Sequence, residues 1–377
     1  MKVKKHIVID ARLYGPKHTG LGRYTKNLLI ALKKLADFTT FRYTLLVYPE
    51  LESEIKADLG NSFNYFVANV RHYTFKEQLV LPIILHRLQP DLVHFTHLDK
   101  PIFYFKKSVV TVHDLIRHFS KGKDTTTRSP LLYWPKYWGY LLMTRLILLN
   151  SFVIVPSDFW RQYIIKHYHF PPEKIIVTHE AVDPIFIKKH SLKRDHHLLK
   201  QQNYILYTGN LYPHKNVEVI FEALKNLPKL QLKIICARSI FTDKIYAKIR
   251  QSGLDKQVDF LGYVPDSEFA SLYQHALALV HPALLEGFSL TGLEAMALDC
   301  PVIAAKASCL PEIYQDAALF FDPHNPADLV DKIKLLQTSP KLREKLIQTG
   351  RQHFKKYNWS STAHQTLDFY KRIANAS

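Results

Sequence analysis

Short apolar runs of four to seven residues, rich in Val and Ile, recur along this chain and alternate with amphipathic stretches of helical period. The first half contains "HIVIDAR", "YTLLVYP", "NYFVANV", "DLVHFT", "SVVTVHD", "SFVIVPS" and "KIIVTHEAV". The second half contains "NYILYTGN", "QLKIICA", "VDFLGYV", "LALVHPA", "PVIAA" and "ALFFDP". Runs that are short and continuously apolar suit parallel strands buried on both faces, with the intervening helices as the cover. The expected fold class is α/β, built from two doubly wound Rossmann-like domains. A length of 377 residues agrees, since it exceeds what one core ordinarily holds. Periodicity fails in "VDPIFIKKHSLKRDHHLLKQQN", Val182–Asn203, which is polar and reads as a linker. The expected division is 1–185 for the N-terminal domain, 186–203 for the linker and 204–357 for the C-terminal domain. Residues 358–377 form a final helix, with a return to the N-terminal domain as one option for its partner. His196 and His197 in the linker lack flanking ligands at metal spacing and read as solvated.

Composition narrows the function classes. Three cysteines, none in a CxxC pair, fit a reducing, cytoplasmic compartment. The N-terminal "MKVKKHIVIDAR" runs directly into a strand, without the apolar core of a signal peptide. "YWGYLLMTRLILLNSFVIVPS" is interrupted by Arg145 and Asn150, so it reads as a helix followed by a buried strand rather than a membrane span. The formal charge is +18, and residues 1–180 hold 26 Lys and Arg against 14 Asp and Glu. Such a surplus points to anionic partners: nucleic acid, acidic lipid or phosphorylated ligands. No nucleic-acid reader motif or compact basic helix is present, which argues against the first. Lys100–Arg145 interleaves nine Lys and Arg with Phe103, Tyr104, Phe105, Tyr133, Trp134, Tyr137 and Trp138, a mixture suited to an anionic membrane surface. "GPKHTGLGRY" matches neither the dinucleotide fingerprint nor the P-loop, so dehydrogenase and Walker-type readings fall away.

Open α/β sheets bind ligands beyond the carboxyl ends of their strands, here expected in a cleft between the lobes. "HPALLEGFSLTGLEAMALDCPV", His281–Val302, fits that position. It passes from a strand through a loop into a helix and places Glu286 and Glu294 around Gly287 and Gly292. A helix start offers unpaired N–H groups to phosphate or sugar oxygens, the glycines permit close backbone approach, and Ser289 or Thr291 can cap. A carboxylate such as Glu294 accepts hydrogen bonds from a diol such as ribose.

The segment resembles the Glu-x7-Glu signature of glycosyltransferase family 4, retaining nucleotide-sugar enzymes of GT-B fold. "TGLGRYTKNLL", "TVHDL", "PSDFWRQYI", "GNLYPHKNVEVIFEAL", "FLGYVPDSEFASLY" and "SCLPEIYQDAALFFDP" extend the resemblance over nearly the whole chain. It implies that Glu294 holds the donor ribose and that Glu286 contacts the transferred sugar, with the amides of Phe288, Ser289 and Leu290 facing sugar or diphosphate. Lys215 then neutralises the leaving diphosphate, where charge develops. Many relatives carry an Arg where this chain has Asn210, or directly before the Lys where it has His214. Either His214 protonates or donors from the other domain compensate. In the first domain, Gly20 and Gly22, in a loop between the first strand and the first helix, let backbone amides approach phosphate, with Arg23 nearby, and His113 contacts donor or acceptor with Asp114 as its orienting partner. Backbone at Tyr263 and Val264 and the Asp266 side chain are the base contacts. A carboxylate there suits guanine, which favours GDP-mannose, although Asp266 reads equally as an N-cap.

No D-x-D triplet occurs, and no His/Cys cluster has metal spacing in sequence, so the expected set is a nucleotide-sugar donor, no cofactor and no metal. The expected acceptor is a glycan or lipid-linked glycan, with peripheral association at the inner face of the cell membrane and no nucleic acid. The resemblance suggests front-face substitution rather than a covalent intermediate. A non-catalytic nucleotide-sugar-binding protein is the alternative, resting on Asn210, and donor turnover separates the two.

Overall fold

Ile7, Val8 and Ile9 are fully buried in the first strand, because helices cover both faces of the sheet it belongs to. The computed structural model describes residues 4–122, 130–189, 203–236, 241–262 and 264–375. Among these, β1 (Lys5–Asp10), β2 (Phe41–Val47), β3 (Asn64–Val67), β4 (Leu92–Phe95), β5 (Ser108–Thr111), β6 (Phe152–Val155) and β7 (Ile175–Val177) form one sheet. Its strand order is β3-β2-β1-β4-β5-β6-β7. The second sheet contains β8 (Tyr204–Thr208), β9 (Gln231–Ile235), β10 (Val258–Phe260), β11 (Leu279–His281), β12 (Val302–Ala305) and β13 (Ala318–Phe321), in the order β10-β9-β8-β11-β12-β13. All strand pairs are parallel; Ile7, for example, lies opposite Tyr43 on one side and Leu92 on the other. Both sheets are doubly wound, and each chain direction reverses once: between β1 and β4 in the first, between β8 and β11 in the second. Loops leaving the carboxyl ends on either side of such a point diverge and open a crevice for ligands.

The chain divides into two compact units: residues 1–115, 134–180 and 358–377, and residues 116–133 and 181–357. The helix Trp359–Asn375 packs on the helix Thr19–Leu35, its Ala363, Leu367, Tyr370 and Ile373 joining Leu28 and Leu32 in the first core. These positions recur at helical spacing, so one apolar stripe is buried. His196 and His197 lie outside the described residues.

The fold changes two of these expectations. Gly20 and Gly22 sit in the first turn of the helix that begins at Thr19, not in the preceding loop. Within the basic aromatic segment, Lys100 and Tyr104 are buried core residues. The Lys100 ammonium donates to the Asn150 carbonyl (2.6 Å) and the Ser151 hydroxyl (3.2 Å), and burial lowers its pKa to about 7.

Candidate functional site

At the second switch point the chain leaves β8 through Gly209, whose φ of 143° suits glycine, and reaches a 3-10 turn at Pro213–Lys215. Asn216 closes that turn in the left-handed conformation and donates its amide to the Pro323 carbonyl (2.9 Å). The loop after β11 is tied to the turn by Leu284 N–H donating to the His214 carbonyl (2.8 Å). This backbone arrangement brings Lys215 Nζ to 2.6 Å from Glu286 Oε1. His281, the last residue of β11, places its Nε2 2.8 Å from the same oxygen. Burial alone would raise the Glu286 pKa; the Lys215 charge, followed by the His281 hydrogen bond, overrides it and holds the carboxyl well below its ordinary value.

The loop carrying Glu286 is strapped from behind. Ser308 Oγ accepts from Glu286 N–H and donates to its carbonyl, both at 3.2 Å, and Cys309 Sγ donates to that carbonyl at 3.4 Å. The helix Leu290–Ala297 then begins after Ser289, which adopts φ 84°. Ser289 does not cap this helix with its side chain: the hydroxyl bonds His281 Nδ1 (3.0 Å) and the Tyr314 hydroxyl. Gly292 N–H donates to that same Tyr314 oxygen (3.0 Å), so one helix-start donor is spent internally. Gly292 is required for packing, since a Cβ there would lie 2.2 Å from the Tyr314 ring. Phe288 is buried edge-on to Tyr357, Leu290 opens the helix and Glu294 stands in its second turn, partly exposed.

His214 does not supply the charge missing at Asn210. Burial, then repulsion from Lys215, lowers its pKa to about 4, so it stays neutral near pH 7. Asn210 is exposed, with its carbonyl accepting from the Tyr207 hydroxyl. Val264 is buried, while Tyr263 and the Asp266 side chain lie outside the described residues. The helix there starts at Asp266 with Pro265 in the capping position, so Asp266 is its first helical residue rather than its cap.

In the first unit, His113 follows β5. Its Nδ1 meets Glu180 Oε1 at 2.8 Å and its Nε2 meets the Thr96 carbonyl at 3.0 Å, with the Tyr24 ring edge-on at 4.6 Å. Burial would depress its pKa, but the Glu180 bond and charge and the Thr96 carbonyl raise it, with Asp114 adding a weaker pull. Glu180 is therefore the orienting partner of His113. Gly22 packs against the chain itself: a Cβ would lie 2.0 Å from the Gly15 carbonyl oxygen, and Gly15 N–H donates to the Gly22 carbonyl (3.1 Å). At Gly20 a Cβ would meet open space.

The structure thus brings together Lys215, Glu286, Ser289 and the start of the helix bearing Glu294, and adds His281 and Tyr314, which the sequence reading passed over. His281 and Glu180 had one available signal: each is a polar residue at or just past the carboxyl end of an apolar run.

Residues 188–353 match the family "Glycosyl transferases group 1", and residues 18–186 match "Glycosyltransferase Family 4". The chain is 28% identical over 374 residues to O-antigen chain mannosyltransferase B of Escherichia coli, covering 94% of this chain and 96% of that one. It is 26% identical over 352 residues to O-antigen chain mannosyltransferase RfbU of Salmonella typhimurium, covering 89% and 92%. A glycosyltransferase structure from Rickettsia africae superposes with a TM-score of 0.72 at 17% identity, over 99% of this chain and all of that one.

Proposed function

The chain belongs to glycosyltransferase family 4 and is a transferase of GT-B fold, and we propose that it moves a mannosyl residue with retention from GDP-mannose to a glycan or lipid-linked glycan. The observation that carries the proposal is the Lys215–Glu286 pair, 2.6 Å apart at the carboxyl-end switch point of the second sheet and next to a helix start. Support for the sugar comes from the two mannosyltransferases matched along most of their length.

In the transfer, the bond from the anomeric carbon to the diphosphate oxygen breaks as the acceptor oxygen bonds on the same face. The acceptor proton passes to the departing phosphate oxygen. Lys215 meets the charge growing on that diphosphate, aided by the helix-start amides near Ser289 and Leu290, so the step needs no metal. Glu286 is ionised and already accepts hydrogen bonds from Lys215 and His281. Its part is to hold sugar hydroxyls and stabilise positive charge at the anomeric carbon, not to attack. Glu294 holds the ribose. His113, with both nitrogens engaged by Glu180 and Thr96, positions its loop and is not the base.

The enzyme works at the cytoplasmic face of an anionic membrane. No helix among the described residues is long and apolar enough to cross one. The helix Pro130–Leu149 exposes Leu131, Trp134, Trp138, Leu142 and Leu149 beside Lys136 and Arg145, and the helix Phe75–Leu88 exposes Phe75, Leu79 and Ile83.

Thermal-shift measurements with GDP-, UDP- and ADP-sugars test the donor. GDP-mannose should raise Tm, and saturation at about 100 times Kd should add about 2.7 kcal/mol. A shift from UDP-sugars alone would remove the GDP assignment, and none from any nucleotide sugar would remove the donor site.

A further inference from the structure

The switch point of the first sheet, at the carboxyl ends of β1 and β4, holds a buried polar cluster that the proposed transfer does not use. Arg12 Nη2 lies 2.6 Å from Asp10 Oδ2 and 2.7 Å from Glu77 Oε1, all three residues being essentially inaccessible. Beside them, His72 Nδ1 lies 2.9 Å from Asp99 Oδ2 and 3.2 Å from Glu77 Oε1. His97 Nε2 stands 3.6 Å from the same Asp99 oxygen, and the two imidazoles meet edge-on at 4.5 Å. His97 is 3% exposed, and neither of its ring nitrogens has a hydrogen-bond partner, including the Nε2 that faces Asp99. Buried polar groups left in this state cost free energy unless something binds them.

We propose that His72, His97 and Asp99 form a site for one divalent cation of the zinc class, independent of the transfer chemistry. One ligand atom from each lies within 4.8 Å of the other two. Donors bound tetrahedrally at about 2.0–2.2 Å from zinc stand roughly 3.3–3.6 Å apart, so the observed 2.9 and 3.6 Å separations need only small adjustments. Two imidazoles and a carboxylate suit zinc and its cobalt substitute, with the fourth position taken by water. Arg12 pairs with Asp10 and Glu77, so the carboxylate that faces the two imidazoles is Asp99. Orienting bonds are also in place. Tyr73 N–H donates to Asp99 Oδ2 (3.2 Å) and to Glu77 Oε2 (2.9 Å), fixing carboxylates around the site. The cation would tie the loop after β3 to the loop after β4. Sequence spacing conceals the set because His72 and His97 come from different loops.

The test uses the full chain, stripped with chelator, desalted and dialysed against zinc chloride at micromolar free metal, with bound zinc measured by elemental analysis. One equivalent should be retained, and cobalt should give the intense visible bands of tetrahedral coordination. His97→Ala and Asp99→Asn should each weaken binding by about tenfold or more, whereas His324→Ala, at an exposed histidine of the second unit, should leave it unchanged. Failure of the wild-type chain to take up zinc or to give the cobalt bands would overturn the proposal, as would full retention by Asp99→Asn. Should His97→Ala fail to fold, judged by circular dichroism, the wild-type spectrum and Asp99→Asn decide. If the wild-type chain takes up no zinc, a protonated His72 paired with Asp99 and Glu77 is the correct description.

Discussion

Glu286 stays charged where burial favours the neutral acid, because Lys215 and His281 both point at one of its oxygens. A carboxyl held below its free value of about 4.3 stabilises the fold fully above that pH and loses the contribution as pH falls through the folded value. Lys215→Ala should therefore flatten the acid limb of the Tm–pH curve below about pH 4.5, and an unchanged limb would mean that the pair does not set the Glu286 charge. The same variant should lower turnover by a factor on the order of 10²–10³ with less effect on donor affinity; wild-type turnover would remove Lys215 from the chemistry. The glycines divide in the same concrete way. Gly22→Ala should destabilise by about 1–3 kcal/mol because the new methyl meets the Gly15 carbonyl. Gly20→Ala should leave Tm nearly unchanged, so any loss of donor binding there would report phosphate approach rather than misfolding. Lys215 and Glu286 were each legible in the sequence as charged residues near strand ends. Their pairing was not, since 71 positions separate them and only the two loops' backbone brings them together.

At the scale of elements, the thirteen apolar runs form thirteen parallel strands among the described residues; the central ones are buried on both faces, which leaves little room for polar residues, whereas the edge strands β3 and β10 are partly exposed. The helix boundaries were less legible. The first helix begins at Thr19 because Gly15 and Gly22 close on each other, a contact that no periodicity encodes. The helix bearing Glu294 depends likewise on Tyr314, whose hydroxyl binds Ser289, His281 and Gly292 N–H. Gly292→Ala should push that ring aside and cost about 1–3 kcal/mol. By displacing Tyr314 it should also weaken nucleotide-sugar binding; a normal donor-induced Tm shift in this variant would show that Tyr314 is not what shapes the helix start. The loops after β5 and β7 are joined by His113 and Glu180. A histidine with a raised folded pKa contributes fully below its free value of about 6.5 and loses that contribution as pH rises through the folded value. Glu180→Gln should make the decline of Tm above pH 6.5 shallower than in the wild-type chain. An unchanged slope would mean that the pair does not hold these loops together.

For the molecule as a whole, a charge of +18 is more than one diphosphate requires. The surplus is greatest in residues 1–180, which also contain the helices with exposed apolar faces. Trp138 and Leu142 are 64% and 58% exposed and lie one helical turn apart, with cationic Lys136 and Arg145 on the same helix. An apolar face of this kind gains by entering the headgroup region, and each lysine or arginine near an anionic surface adds about 1 kcal/mol, screened beyond a Debye length of about 10 Å at 0.1 M salt. The chain should therefore co-sediment with vesicles containing phosphatidylglycerol, bind phosphatidylcholine vesicles weakly, and release as salt rises. The double variant Trp138→Asp, Leu142→Asp keeps the buried Tyr137 and Thr144 and should keep its Tm while losing vesicle binding. Loss of salt dependence with binding intact would leave insertion as the driving force. Binding by the double variant equal to wild type would mean that this helix face is ordinary surface, and that the excess positive charge serves the acceptor instead.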